Sequence, residues 1–365
     1  MRRISLASST SNLKAQTFGL SPLPLLVVDG NAVSRTWTLT PEAERRIRKE
    51  TLEGWDVYFV RSPTSSDGDG PRGSSEEVMD KIPGADVYLG FGIPRPLFLA
   101  ARQLRWVHSA AAGVGSALYP EMLDSSVVLT NSAGVHAIPI AEYIVAGVLY
   151  FFRALDIAVD QQRRREWNKQ PFVGPESPLR EISGARVLVV GAGGIGSEAA
   201  QRLAALGACC VGIRRHPERG APTGFRRVAG PEAIDGELAS ADVVVLTAPL
   251  TEETRGFLTA ERLDRLRPSA IVVNVSRGAL VDESALAERL LDGRLRGAVL
   301  DVFNEEPLAA DSPLWQLRSA LVTPHVSPVS PGRFWARELD LFLDNWRRFV
   351  RGEELRNVVD KRAGY

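Results

Sequence analysis

From Leu25 onward, short apolar runs alternate with stretches whose apolar residues recur at helical spacing, and the runs read LLVVD, DVYFV, ADVYLGF, LRWVHSA and SVVLTN. Strands this uniformly apolar are buried on both faces, so the pattern predicts a parallel sheet covered by helices on both sides. A second series starts at Ala185 with ARVLVVGAGGIG and continues through CCVGIRR, ADVVVLTAP, AIVVNVS, RGAVLDV and ALVTPH. Its rhythm predicts a second doubly wound unit of about 160 residues. Between the two, Ala137 to Trp167 is too long for a strand and reads as one long helix, a spine between lobes. A last helical stretch, Phe334 to Val350, is left over and is expected to return to the first unit. The fold class is therefore α/β, with two doubly wound, Rossmann-like parallel-sheet lobes and a cleft between them. Residues 23–153 with 326–365 make one lobe and residues 154–325 the other.

The first 20 residues are basic and rich in Ser and Thr, with no acidic residue and no apolar stretch for secretion. They read as a disordered start (residues 1–22), the alternative being an organelle-targeting segment. SPTSSDGDGPRGSS, from Ser62 to Ser75, reads as a polar loop.

Charge narrows the function classes. The chain has 365 residues, and its 44 Lys and Arg balance 44 Asp and Glu. That balance argues against a general binder of nucleic-acid backbones, which needs clustered basic excess. No membrane span is expected, because even the apolar stretch from Ile138 to Phe152 carries Glu142. The two cysteines, Cys209 and Cys210, are adjacent and cannot staple distant segments, which fits a reducing cytoplasm. Nothing in the pattern calls for a metal.

The chemistry begins at Gly191, Gly193 and Gly196, a GxGxxG directly after a strand and before a helix. Gly191 permits the tight turn, Gly193 lets a pyrophosphate approach the backbone, and Gly196 lets helix and strand pack closely, while the helix N-terminus attracts negative charge. A glycine-rich turn without a ligand is the bland alternative. About 18 residues further on, where a carboxylate would hold the ribose hydroxyls of NAD, stand Arg214 and Arg215. Two guanidiniums there can pair with the 2'-phosphate of NADP(H), which is favoured over NAD(H); a solvated basic turn is the alternative.

Three further spots stand at predicted strand ends: NVSRGALVDESAL with Arg277, GAVLDVFNEEPL with Asp301 and Glu306, and LVTPHVS with His325. With LRWVHSAAAGVG, TNSAGVHAIPIAEY and TAPLTEETRGFL, their order resembles the D-isomer-specific 2-hydroxyacid dehydrogenase family from about Leu104 to the end. The resemblance implies an oxidoreductase that moves a hydride between NADP(H) and a small 2-oxo acid, with glyoxylate or hydroxypyruvate favoured. It also implies a flavodoxin-like substrate lobe and a homodimer, for which PFVGPESPLREI (Pro171 to Ile182) is a candidate arm. Arg277 would bind the substrate carboxylate and polarise its carbonyl, His325 would be the acid and base, and Glu306 would hold the ring and favour its protonated form. The turn at Ala112, Gly113 and Val114 would offer backbone N–H groups to the same carboxylate. Gly194, Ile195, Pro249 and Val275 would join the cofactor contacts. Asp301 would touch the nicotinamide amide, a strand-end cap being the alternative. Glu142 is expected to be structural, His108 and His136 packing or rim residues, and Trp335 a rim or a core residue. The chain ends 40 residues after His325, which leaves no room for the regulatory domain of many phosphoglycerate dehydrogenases. A dinucleotide-sensing protein resembling the corepressors of this fold is the alternative from another class.

Overall fold

The computed structural model describes residues 23–51, 54–64 and 73–364. The start of the chain and most of the Ser62–Ser75 loop lie outside the described residues. The first apolar runs become β1 (Leu25–Asp29), β2 (Asp56–Phe59), β3 (Ala85–Gly90), β4 (Trp106–Ser109) and β5 (Val128–Asn131). They pair in parallel in the order β2-β1-β3-β4-β5. The second series becomes β6 (Arg186–Val190), β7 (Cys209–Ile213), β8 (Phe225–Ala229), β9 (Val243–Leu246), β10 (Ile271–Asn274), β11 (Gly297–Leu300) and β12 (Ala320–Val322). Its parallel order is β12-β11-β10-β9-β6-β7-β8. The α/β class with two parallel sheets is thus as the pattern predicts.

The uniform apolarity of the strands has a direct structural cause. In β6, Val187 and Val189 face one buried cluster while Leu188 and Val190 face another. Both faces are covered, so no position in the strand is left for a polar residue.

The helix Phe334–Arg351 packs on the five-stranded sheet. Its residues Phe334, Phe342 and Trp346, with Trp335, Leu339 and Leu343, form an apolar stripe against Leu26, Val28 and Trp106. Glu338 sits inside that stripe with no exposed surface. Its carboxylate meets His108 Nε2 at 2.9 Å and accepts from Ser132 Oγ at 2.6 Å, while His108 Nδ1 meets Thr130 Oγ1 at 2.6 Å. His108 is therefore a packing residue, far from rim duty.

The spine departs from the single helix read from the pattern. It consists of Ala137–Phe152 and Leu155–Arg164, bent by 68° at Arg153 and Ala154. Ala154 takes a left-handed conformation (φ 52°) and Arg165 does the same (φ 59°) where the second helix ends. No Gly or Pro marks the break. Tertiary contact holds it: Asp156, 3% exposed, accepts from Arg296 at 2.7 and 3.0 Å, and that guanidinium also donates to the Phe151 carbonyl. Among the described residues no single helix is long and apolar enough to cross a membrane.

In each sheet the strand order reverses once, between β1 and β3 in the first and between β6 and β9 in the second. Ligands of open α/β sheets bind outside the strand carboxyl ends at such points, and here both reversals open onto one cleft.

Candidate active site

The loop after β6 turns at Gly191, whose φ of 104° suits glycine. A Cβ on Gly191 would stand 2.5 Å from the Ala248 nitrogen, and one on Gly196 would stand 2.2 Å from the Gly191 carbonyl oxygen. Only glycines let strand, turn and helix approach so closely. Gly193 caps the helix Gly194–Ala205, and a Cβ there would meet nothing within 4 Å. The helix N-terminus is thus open toward the cleft, with its unpaired N–H groups available to a phosphate. This geometry fits a dinucleotide pyrophosphate.

The cleft has a volume of about 670 Å³ and is walled by both lobes. The second lobe contributes Gly194, Ile195, Thr247, Val275, Ser276, Arg277 and His325. Ala112, Gly113, Ala133 and Gly134 come from the first lobe, joined by Val33, Ser34 and Trp37 from the loop after β1. His136 and Ile140 stand where the spine begins. Pro249 is exposed and is not among this lining, whereas Thr247, two residues earlier, is, its hydroxyl donating to the Gly191 carbonyl at 2.8 Å.

Arg277 follows β10, and its Nη2 lies where a Cβ on Gly113 would approach to 2.8 Å. The guanidinium therefore lies against the AAAGVG turn, as a shared carboxylate site requires. Asn131 Nδ2 donates to the Ala112 carbonyl at 2.8 Å and fixes the turn from behind. Val114 points the other way and is buried in the core of the first lobe.

His325 Nδ1 meets Glu306 Oε2 at 2.8 Å, and the second carboxylate oxygen accepts the Phe303 N–H at 3.0 Å. A carboxylate accepts only, so Nδ1 is assigned as the donor, and Nε2 is the ring nitrogen that can exchange a proton with a bound molecule. His325 has a left-handed backbone (φ 52°), a conformation that a residue with a Cβ adopts only under constraint. The constraint is Asp301. Its Oδ1 accepts from Thr323 Oγ1 at 2.5 Å and from the Val326 N–H at 2.8 Å, and its Oδ2 accepts from the Ser327 N–H at 2.8 Å. Asp301 has no exposed surface. It is the strand-end cap, and it holds the histidine segment in place.

Arg214 and Arg215 follow β7, outside the cleft lining. Arg215 Nη2 pairs with Glu253 Oε2 at 2.8 Å, and Arg214 Nη1 faces the Gly220 carbonyl at 3.4 Å. The Thr251 hydroxyl and then the Arg215 charge hold the Glu253 carboxyl below its usual range. Glu253 thus occupies the partner of one of the two guanidiniums.

Sequence reasoning missed Val33, Ser34 and Trp37, which carry no motif. Trp335, 5% exposed, is a core residue whose Nε1 donates to the Trp37 carbonyl at 3.0 Å. Among the described residues no group of three or more His, Cys, Asp or Glu is placed to hold a metal ion.

A family model for the NAD-binding domain of D-isomer-specific 2-hydroxyacid dehydrogenases matches residues 145–327. The chain belongs to that family. It is 30% identical over 293 residues to a D-3-phosphoglycerate dehydrogenase of Methanocaldococcus jannaschii, covering 79% of this chain and 54% of that one. It spans about half the length of the phosphoglycerate dehydrogenases it matches. To glyoxylate/hydroxypyruvate reductase A of Salmonella paratyphi B it is 33% identical over 274 residues, covering 73% of this chain and 84% of the relative. A solved D-isomer-specific 2-hydroxyacid dehydrogenase from Xanthobacter autotrophicus Py2, in complex with NADPH and MES, superposes with a TM-score of 0.73 at 30% identity, over 94% of this chain and 100% of that one.

Proposed function

We propose that this chain transfers a hydride between NADP(H) and a 2-oxo acid, interconverting it with the D-2-hydroxy acid. The observation that carries the reading is the placement of Arg277 against the Gly113 turn in the same cleft as the His325–Glu306 pair. NADP(H), when bound, supplies or accepts the hydride. Arg277 takes the substrate carboxylate together with the backbone N–H groups of the turn, and its fork polarises the adjacent carbonyl. His325 gives a proton from Nε2 to the carbonyl oxygen during reduction and removes it in the reverse direction. Glu306 orients the ring and offsets its positive charge. The Gly191–Gly196 turn, with Gly194 and Ile195, would hold the pyrophosphate, and Val275, which lines the cleft, would join the cofactor contacts. The relatives named as glyoxylate/hydroxypyruvate reductases make those two acids the starting substrates.

NADP(H) over NAD(H) is the cofactor choice that Arg214 and Arg215 support, since guanidiniums stand where a ribose-binding carboxylate would follow the second strand, although the Glu253 carboxylate pairs with Arg215 and leaves Arg214 as the main support. The chain works in the cytoplasm as a homodimer in this reading. Trp167, 92% exposed, and Val173, 70% exposed, stand in and beside the Pro171–Ile182 arm and support such pairing. A monomeric mass at micromolar concentration would count against it.

Reduction is tested by NADPH oxidation with a panel of 2-oxo acids, wild type beside His325→Ala. Removing a positioned acid lowers turnover by about 10²–10⁴, and NADPH binding, read by fluorescence, is expected to persist. Unchanged turnover in the variant would remove His325 from the chemistry.

A further inference from the structure

The first-lobe wall of the cleft determines which side chain the substrate carries. The carbonyl carbon of a 2-oxo acid bears three groups. With the carboxylate at Arg277 and the oxygen at His325, the third group is left to the rest of the lining, where Val33, Ser34 and Trp37 stand beside His136, Ile140 and Val329. Val33 is 69% exposed and lines the cleft, an apolar side chain held out in solvent. It is held there firmly. The Val33 N–H donates to the Thr64 carbonyl at 3.2 Å, Thr38 Oγ1 donates to the Ala32 carbonyl at 2.7 Å, and the Trp37 N–H donates to the Ser34 carbonyl at 3.0 Å. Buried Asp29 fastens the other side of the loop by accepting from Thr64 Oγ1 at 2.5 Å. Trp37 is packed edge-on against His136 at 5.9 Å and against Phe334 at 5.1 Å. The wall is thus preformed, with Val33 as its exposed apolar side chain, Ser34 beside it and Trp37 buried behind, and is not a loop awaiting order.

Charge in the cleft points the same way. Arg277 is the only Lys or Arg among the described residues that line it. His136 is 8% exposed, stacks on Phe334 at 5.3 Å and sets Nδ1 at 3.3 Å from the Pro328 carbonyl. A phosphate or a second carboxylate on the substrate would enter a cleft whose one guanidinium is already engaged, and an unpaired charge is not carried into such a site.

We propose that the preferred substrates are 2-oxo monocarboxylic acids with an uncharged, apolar side chain larger than the hydroxymethyl of hydroxypyruvate, and that Val33 is a specificity-determining residue. This rests on the 2-oxo acid reading above and goes past its starting substrates. The test measures kcat/KM for NADPH-dependent reduction of glyoxylate, hydroxypyruvate, 3-phosphohydroxypyruvate and 4-methyl-2-oxopentanoate, by wild type and Val33→Asp. Each methylene seated on an apolar wall changes kcat/KM by about tenfold or more, so the branched acid is expected to exceed hydroxypyruvate by at least about tenfold, with the phosphorylated acid lowest. Val33→Asp, at an exposed position that the fold tolerates, is expected to lower the ratio of kcat/KM for 4-methyl-2-oxopentanoate over glyoxylate by about tenfold. If hydroxypyruvate or its phosphate is the better substrate, or if the ratio is unmoved, this inference falls and the reductase reading stands. If none of the four acids oxidises NADPH, the reductase reading falls first.

Discussion

At the reversal of the seven-stranded sheet, the loop after β6 is shaped by backbone: Gly191 turns, Gly196 permits contact, and the N-terminus of the helix Gly194–Ala205 is left open. At the reversal of the five-stranded sheet, the loop after β1 is shaped by side chains, with Trp37 wedged among aromatic rings and Thr38 tying the turn. Under the proposed function, the difference follows from what each loop would receive. A pyrophosphate demands N–H groups at close range, and few residues but glycine allow that approach. A substrate side chain demands only a surface of suitable size and polarity, which many sequences provide. The first loop therefore carries a signature and the second does not.

Substitutions can break or sharpen this contrast, starting with Arg277. Arg277→Ala removes a fork of charge-assisted bonds, each worth roughly 1.5–3 kcal/mol, so kcat/KM is expected to fall by about 10² or more, with KM raised and kcat lowered together. Its thermal midpoint should stay near wild type, because the guanidinium lines a cleft. Glu338→Ala in the other lobe should behave the opposite way. It leaves His108 Nε2 without its partner in a fully buried site and Ser132 Oγ with only the Ser109 carbonyl, and the expected loss is about 3 kcal/mol of stability in a denaturant titration. A loss of activity with unchanged stability would contradict the structural role of that pair.

The smallest expected effect concerns the cofactor. Replacing Arg214 and Arg215 with Ala should weaken NADPH by one to two powers of ten, about one charge-assisted bond's worth, and should change NADH far less. Arg215 already pairs with Glu253, so Arg214→Ala alone should account for most of the change. A wild type that binds NADH more tightly than NADPH would overturn the cofactor choice.

The fold was legible because parallel strands buried on both faces leave an unmistakable apolar rhythm, and the glycine turn was legible because Gly191 and Gly196 are sterically obligatory. Arg277, Glu306 and His325 were singled out by their order at strand ends and by resemblance, and the structure puts Arg277 in one cleft with the His325–Glu306 pair. Two things escaped for physical reasons. The bend at Ala154 is imposed by Asp156 and Arg296, residues 140 positions apart, and local propensity carries no trace of it. For Asp301 the resemblance implied a cofactor contact and a strand-end cap was the alternative; the structure shows the capping bonds to the His325 segment, which no local pattern marks. Val33 could have been noticed as an apolar residue in a turn directly after a strand at a sheet's reversal, but that signal exists only once the strand order is known.

The central claim is that Arg277, Glu306 and His325 reduce a 2-oxo acid stereospecifically with NADPH. The most direct measurement follows absorbance of NADPH with the wild type and 2-oxobutanoate, and resolves the 2-hydroxybutanoate formed on a chiral column. The account predicts D-2-hydroxybutanoate in an amount equal to the NADPH consumed. Absence of any NADPH consumption, or formation of the L-enantiomer, would contradict it.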